Sequence, residues 1–150
     1  MAEPHPASAS TVVIHHNPGC GTSRNVLAII EAAGYRPTVI NYLETGWTRP
    51  QLLGLFAAAG LTPRTALRTT KSPAAELGLL NSGVPDEKIL DAMLEYPVLV
   101  NRPIVCTGKG VRLCRPSETV LDILEHWPSG PLNKEDGSPL LDENGRRVVA

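Results

Sequence analysis

Hydrophobic and polar positions follow two different periods along this chain, and the changes of period mark its elements. A β-branched apolar run at residues 11–15 predicts a buried strand, and apolar residues three and four apart over 26–33 predict a helix that Gly34 ends. A second strand is predicted over residues 38–42. A strand, a helix and another strand within about thirty residues indicate a right-handed parallel βαβ unit.

The middle of the chain, residues 48–96, is predicted to be a helical block. Thr48 and Gln51 have the spacing of a capping box ahead of an apolar helix face, and a second helix is predicted over residues 86–95. Two further helix starts, each an N-cap residue followed by proline, are predicted at Thr62-Pro63 and Ser72-Pro73.

The pattern then returns to strands and a final helix. Residues 104–107 and 111–114 predict two strands joined by a tight hairpin connection, and Ser117 is predicted to cap the last helix. The resulting order is β-α-β, a helical insert, and β-β-α. It predicts an α/β fold with a four-stranded mixed sheet and a helical insertion between the second and third strands, which is the thioredoxin-like order.

Length and composition predict one domain over residues 11–126 of the 150-residue chain. Residues 1–10 are expected to be a flexible tail, and residues 127–150, rich in proline, glycine and charge, a partly ordered tail without a core of its own. The beginning of the sequence does not have the pattern of a signal peptide, and no apolar run approaches the roughly 18 residues of a membrane span. A net charge of −1 gives no indication of nucleic acid as a partner.

Three widely spaced cysteines do not form a disulfide framework, and they predict a reducing, cytoplasmic setting. Cys106 and Cys114 lie in strand-like runs, where a cysteine commonly packs as a small apolar side chain. Cys20 could be read in the same way, but its neighbours are turn formers and helix starters rather than core residues. We therefore interpret Cys20 as the reactive thiol.

The position of Cys20 between a strand and a helix predicts an activated nucleophile. Unpaired N–H groups and the helix dipole favour an anion at a helix start, where the pKa of a thiol can fall from about 8.5 to between about 3.5 and 7.5. The same amides, including those of Gly21 and Thr22, can hold an oxyanion substrate. Ser23 makes the motif Cys-x-x-Ser, so any disulfide on Cys20 must be resolved by another thiol, most simply one from outside.

Histidines precede the cysteine. As an imidazolium, His16 would stabilise the thiolate, and as a neutral imidazole it could act as a base; a strand-end histidine without a role is an equal alternative. The spacing of His15, His16 and Cys20 matches no usual structural zinc pattern, so no metal site is predicted.

Several short segments carry a more specific signal in combination than any one does alone. In chain order they are His16-Asn17-Pro18-Gly19-Cys20-Gly21-Thr22-Ser23-Arg24-Asn25, Tyr42-Leu43-Glu44-Thr45, Glu76-Leu77-Gly78-Leu79, Asn101-Arg102-Pro103-Ile104-Val105 and Arg112-Leu113-Cys114-Arg115-Pro116-Ser117-Glu118. The series runs through most of residues 11–126 and closely resembles the glutaredoxin-coupled arsenate reductases. It departs from them at His15, where an aromatic residue is common, and over residues 68–72.

The resemblance implies a thioredoxin-like fold with a helical insertion and a role for each matching residue. Cys20 matches the nucleophile, His16 a histidine that lowers the pKa of the cysteine, and Ser23 a serine that hydrogen-bonds to the thiolate. Substrate-binding arginines are matched by Arg68, Arg102 and Arg115. Pro103 matches a proline that is usually cis and lies opposite the redox loop.

The implied activity is reduction of arsenate to arsenite by the Cys20 thiolate. Glutathione would be the thiol co-substrate and glutaredoxin the second electron donor, with no bound cofactor or metal. Guanidinium groups suit a doubly charged tetrahedral anion, because they offer forked donors to its oxygens. Two alternatives stay open: a thioredoxin-like regulator that binds RNA polymerase, which Ser23 and the arginines disfavour, and a related thiol-dependent reductase with a different substrate.

Overall fold

A four-stranded mixed β-sheet lies at the centre of the computed structural model, which describes residues 11–148. Its strands are β1 Val12–His16, β2 Thr38–Asn41, β3 Ile104–Thr107 and β4 Gly110–Leu113. Their order across the sheet is β2-β1-β3-β4. Strand β1 runs parallel to β2 and antiparallel to β3, and β4 is antiparallel to β3. The predicted α/β fold with the thioredoxin-like strand order is confirmed.

Helices cover both faces of this sheet. They are α1 Gly21–Ala32, α2 Tyr42–Thr45, α3 Arg49–Ala59 and α4 Asp86–Glu95. On one face, α1 packs with a 3-10 helix, Ser117–Ile123, over the side chains of Val12 and Ile14. The apolar residues of α3 and α4 form a second core on the other face, which includes Ile104. Side chains of a strand alternate between faces, so the apolar sheet contributes to both cores.

The helical insertion between β2 and β3 has the predicted α3 and α4. The capping box of α3 is complete, with Gln51 N–H donating to the Thr48 hydroxyl and the Gln51 side chain accepting from Thr48 N–H. The helix starts predicted at Thr62 and Ser72 are wrong, because the chain forms turns there. After Thr62 a single turn closes, and Leu67 then leaves it to pair with Val100 in an isolated β-bridge.

The last segments also differ from the prediction. Ser117 does not cap a helix; it is the buried first residue of the 3-10 helix, and the cap position belongs to Pro116, in extended conformation. Beyond it, β5 Leu132–Asn133 and β6 Pro139–Leu141 form an antiparallel pair. Leu140 and Leu141 pack into the core beside α1. The composition of the segment did not predict this contribution. The predicted tail at residues 1–10, and residues 149–150, lie outside the described residues.

Neither a membrane span nor a metal-binding cluster occurs in the part of the chain that the structure describes. No helix within residues 11–148 has the length and apolar character to cross a bilayer. Over the same residues, no three histidine, cysteine, aspartate or glutamate side chains come together as a metal ion would require.

His15 on β1 makes stability depend on pH. It is 4% exposed, its Nδ1 lies 3.0 Å from the carbonyl oxygen of Ile104, and its ring packs on Trp47. Burial lowers the pKa of His15 below 6.5, and the hydrogen bond to Ile104 only partly offsets this. As the pH falls below 6.5, His15 is therefore protonated in the unfolded chain before it is protonated in the folded chain.

We expect the free energy of unfolding to fall as the pH drops from about 7.5 to about 5, by at most about 1.4 kcal/mol per pH unit for this histidine. His15→Phe removes this component, and the decline becomes shallower, although the lowered pKa of His16 still contributes. Urea unfolding at several pH values measures both slopes. Equal slopes in the two proteins would show that His15 does not contribute.

Candidate active site

Cys20 lies at the N-terminus of α1, as the sequence predicts. Its backbone is extended at the N-cap position, and its carbonyl accepts from Arg24 N–H at 3.0 Å, the first hydrogen bond of the helix. Asn17 holds the preceding turn: its carbonyl oxygen accepts from Cys20 N–H at 3.0 Å, and its Oδ1 accepts from Gly19 N–H at 2.8 Å. The cysteine is 7% exposed. The loop between β1 and α1 therefore fixes the position of the sulfur.

The environment of Cys20 favours its thiolate. Burial alone would raise the pKa of the thiol, but a hydrogen bond from Ser23 backbone N–H and the positive charges of Arg102 and Arg115 outweigh it. The net result is a pKa below the ordinary value of 9.0. Arg115 makes the direct contact, with Nη1 3.7 Å from Cys20 Sγ. An anionic sulfur is the nucleophilic form, so these contacts prepare it for attack.

The three arginines that the resemblance implied come together from separate segments. Arg68 follows the β-bridge between Leu67 and Val100, and its backbone N–H donates to the carbonyl of Leu99 at 2.8 Å. Arg102 precedes the cis peptide bond to Pro103, which confirms the expected isomer. Arg115 follows β4, and its Nη1 also donates to the carbonyl oxygen of Arg102 at 3.2 Å.

These arginines repel one another and have no carboxylate partner in the part of the chain that the structure describes. Burial and the charges of Arg102 and Arg115 lower the pKa of Arg68, while Cys20 and Tyr42 act in the opposite direction. Within residues 11–148, none of the five ion pairs includes Arg68, Arg102 or Arg115. Three guanidinium groups around a thiol, with no counter-ion among residues 11–148, have the charge and the donors that suit an anion.

His16 and Ser23 form a hydrogen bond with each other in the loop that holds Cys20. His16 Nδ1 lies 2.6 Å from Ser23 Oγ, which also accepts from Asn17 N–H at 3.1 Å. Burial and the nearby Arg24 lower the pKa of His16, so its imidazole is neutral at pH 7. The contact from Ser23 to Cys20 is made by the backbone N–H. These contacts connect His16 and the Ser23 hydroxyl to the loop, and the expected effect of His16 on the thiolate stays a prediction.

Gly21 and Thr22 form the first turn of α1, where N–H groups have no partner inside the helix. A Cβ on Gly21 would meet Arg24 Nη2 at 3.7 Å and Glu135 Oε1 at 3.9 Å, which are ordinary contacts. That this turn approaches an oxyanion stays a prediction.

An ion pair that the sequence did not predict attaches the C-terminal segment to the loop. Arg24 donates to Glu135 through Nε at 2.7 Å and Nη2 at 3.0 Å, and through Nη1 to the carbonyl oxygen of Pro18 at 2.7 Å. Glu135 N–H in turn donates to Asn25 Oδ1 at 2.9 Å. Arg24 and Glu135 are 111 positions apart, so no local pattern could have indicated the contact.

The surroundings of the other two cysteines, Cys106 and Cys114, favour the protonated thiol. Cys114 is fully buried, and burial raises the pKa of its thiol to about 12. Cys106 is partly buried on β3, and burial raises its pKa as well. All three cysteines are free. The structure therefore singles out Cys20 as the one cysteine whose surroundings favour the thiolate.

The fold and the site together define a class: thioredoxin-like domains with a single helix-start cysteine inside a cluster of arginines. The ArsC family model matches residues 15–123, and the chain belongs to this family. The family resemblance seen in the sequence is confirmed.

Curated relatives match almost end to end. Arsenate reductase ArsI2 of Synechocystis sp. is 74% identical over 137 residues, 91% of this chain and 98% of that protein. Arsenate reductase of Escherichia coli (strain K12) is 49% identical over 139 residues, 93% of this chain and 99% of that protein. Among solved structures, arsenate reductase from Vibrio cholerae superposes with a TM-score of 0.72 at 41% identity, over 77% of this chain and 98% of that chain.

Proposed function

We propose that this protein reduces arsenate to arsenite, with the Cys20 thiolate as nucleophile. The observation that carries the proposal is the contact of 3.7 Å between Arg115 Nη1 and Cys20 Sγ, inside a cluster of arginines without carboxylate partners among residues 11–148. Relatives that cover nearly the whole chain are named arsenate reductases, which supports arsenate as the substrate.

Substrate binding follows from charge and shape. Arsenate at neutral pH is a tetrahedral anion with two negative charges, and Arg68, Arg102 and Arg115 would neutralise it with forked donors. The N–H groups of Gly21 and Thr22 at the start of α1 would add donors on the side of the thiol. The same positive charges stabilise the negative charge that develops as the sulfur attacks.

The reaction uses two thiols in sequence. Cys20 thiolate attacks As(V), and an arsenate oxygen leaves as water, which gives a thiol–arsenate adduct. The glutathione thiol then displaces a second oxygen as water. As the two As–S bonds break and the sulfurs bond to each other, one electron pair stays on arsenic and As(V) becomes As(III). One water adds back to the arsenic, and arsenite leaves. The remaining disulfide between Cys20 and glutathione is reduced when a glutaredoxin thiolate takes the glutathione and restores Cys20.

The sequence of the loop supports external thiols as the electron donors. Ser23 occupies the position of the resolving cysteine in a Cys-x-x-Cys motif, and its hydroxyl forms a hydrogen bond with His16. Cys106 and Cys114 have raised pKa values and lie elsewhere in the sheet region. Glutathione and glutaredoxin therefore complete the proposal. Three free cysteines fit a reducing, cytoplasmic location.

A coupled assay tests the function. The full chain is mixed with arsenate, glutathione, glutaredoxin, glutathione reductase and NADPH, and NADPH oxidation is followed. We expect oxidation that depends on arsenate and on glutaredoxin. A folded protein that gives no arsenate-dependent oxidation would refute the assignment. Turnover that requires thioredoxin in place of glutaredoxin would refute only the proposed donor.

A further inference from the structure

Tyr42 places a polar group at the site that the mechanism above does not use. The side chain is 1% exposed, and its hydroxyl makes no hydrogen bond to any residue within 11–148. A buried hydroxyl without a partner destabilises a protein, since it loses its hydrogen bonds to water. In native proteins such groups commonly bond to an ordered water or to a bound ligand.

The sheet brings Tyr42 to the catalytic loop. Strands β1 and β2 are parallel, with His16 opposite Asn41, so Asn17 and Tyr42 follow them at the same edge of the sheet. The Asn17 side chain is close to the hydroxyl without hydrogen-bond geometry, and the charges of Arg102 and Arg68 act on it, as does Cys20. The strand register and these charge interactions place the hydroxyl at the same edge of the sheet as the catalytic loop, within the field of Arg102, Arg68 and Cys20.

The ring of Tyr42 is held rigidly. It stacks on Trp47 with ring centroids 4.9 Å apart, and Trp47 Nε1 donates to the carbonyl oxygen of Pro97 at 3.3 Å. Burial raises the pKa of Tyr42 despite the nearby arginines, so the phenol keeps its proton at neutral pH. It is available as a fixed hydrogen-bond donor.

One of the three arginines also has a donor without a partner among residues 11–148. Arg102 Nε is buried and has no hydrogen-bond partner in the described residues. Arg102 is also one of the charges that act on the Tyr42 hydroxyl. Two buried donors without partners among residues 11–148 can bond to acceptor oxygens, which a tetrahedral anion held by the arginines would supply.

We propose that the Tyr42 hydroxyl is a further substrate-binding group, which donates a hydrogen bond to one oxygen of the bound oxyanion. The proposal deepens the proposed function and rests on its oxyanion site. A hydrogen bond to a charged group is among the stronger ones, so loss of this donor should weaken anion binding by about tenfold or more.

Tyr42→Phe tests the proposal because it removes the hydroxyl and keeps the ring on Trp47. Binding is measured as the concentration of inorganic arsenate, or of unreactive inorganic phosphate, that halves the rate of Cys20 alkylation by iodoacetamide without glutathione. We expect this concentration to rise about tenfold or more, and the KM for arsenate with it. The melting temperature should stay the same or increase, since an unpaired buried hydroxyl is lost.

Tyr96→Phe is the matched control, because Tyr96 is 38% exposed and lies at the end of α4. The arsenate and phosphate concentrations that halve the rate of Cys20 alkylation should be the same in this variant as in the wild type. Protection of Tyr42→Phe that equals that of the wild type for both anions would overturn the proposal, whatever its melting temperature. This result leaves the arsenate reductase assignment intact. If the wild type binds both anions but does not reduce arsenate, the assignment fails, and the comparison of the concentrations that halve the alkylation rate still decides the role of Tyr42.

Discussion

Cys20→Ser is expected to abolish arsenate-dependent turnover, with a loss of at least about a thousand-fold in the coupled assay. A serine hydroxyl at this position cannot form the thiol–arsenate adduct, and it cannot become the disulfide with glutathione that carries the electrons away. Arsenate binding should persist, because the arginines and the first turn of α1 remain. The variant therefore separates chemistry from binding.

Cys106→Ser is the control for this substitution. Cys106 is only partly buried on β3 and its pKa is raised, so its loss should leave turnover within about twofold of the wild type. If Cys20→Ser kept substantial activity and Cys106→Ser did not, the nucleophile would be assigned to the wrong sulfur.

Arg115→Ala is expected to lower kcat/KM for arsenate by about a hundred-fold or more. The guanidinium contacts Cys20 Sγ at 3.7 Å, so its removal takes a donor from the substrate and a positive charge from the sulfur. Because Arg115 is one of the groups that lower the pKa of Cys20, the alkylation rate of Cys20 should rise with pH at a higher midpoint than in the wild type. Steady-state kinetics and alkylation rates measure the two effects separately.

Two further variants test whether the effects of Arg115→Ala come from the loss of this particular guanidinium group. Arg115→Lys keeps the charge and loses the forked donors, so it should lie between the wild type and Arg115→Ala. Arg36→Ala removes an exposed arginine beyond the C-terminal end of α1 and should change neither quantity. Wild-type kinetics in Arg115→Ala would mean that this arginine does not touch the substrate.

Much of the fold could be predicted because it depends on neighbours in the sequence. The β-branched run of β1, the capping box at Thr48 and the apolar stripe of α4 are local patterns, and each element forms where its pattern predicts. The errors come from competition with distant segments. Thr62 has the sequence of a helix start, but the pairing of Leu67 with Val100 draws the chain away after one turn.

The candidate site also has one part that local sequence predicts and another part that depends on contacts between distant segments. The reactive Cys20 could be predicted from local sequence, since a cysteine at the start of a helix is where the helix dipole and free N–H groups favour a thiolate. The arginines carry no local signal, and only the family resemblance indicated that they meet. Arg24 and Glu135, and the unpaired hydroxyl of Tyr42, become visible only when the packed chain brings separate segments together.

The most direct test of the central claim is the pH dependence of Cys20 alkylation, measured with and without arsenate in the Cys106→Ser protein. We expect a midpoint below that of free cysteine, because the pKa of the thiol is lowered, and protection by arsenate, because anion and sulfur share one site. A midpoint at or above that of free cysteine, with no protection by arsenate, would refute the proposed role of Cys20.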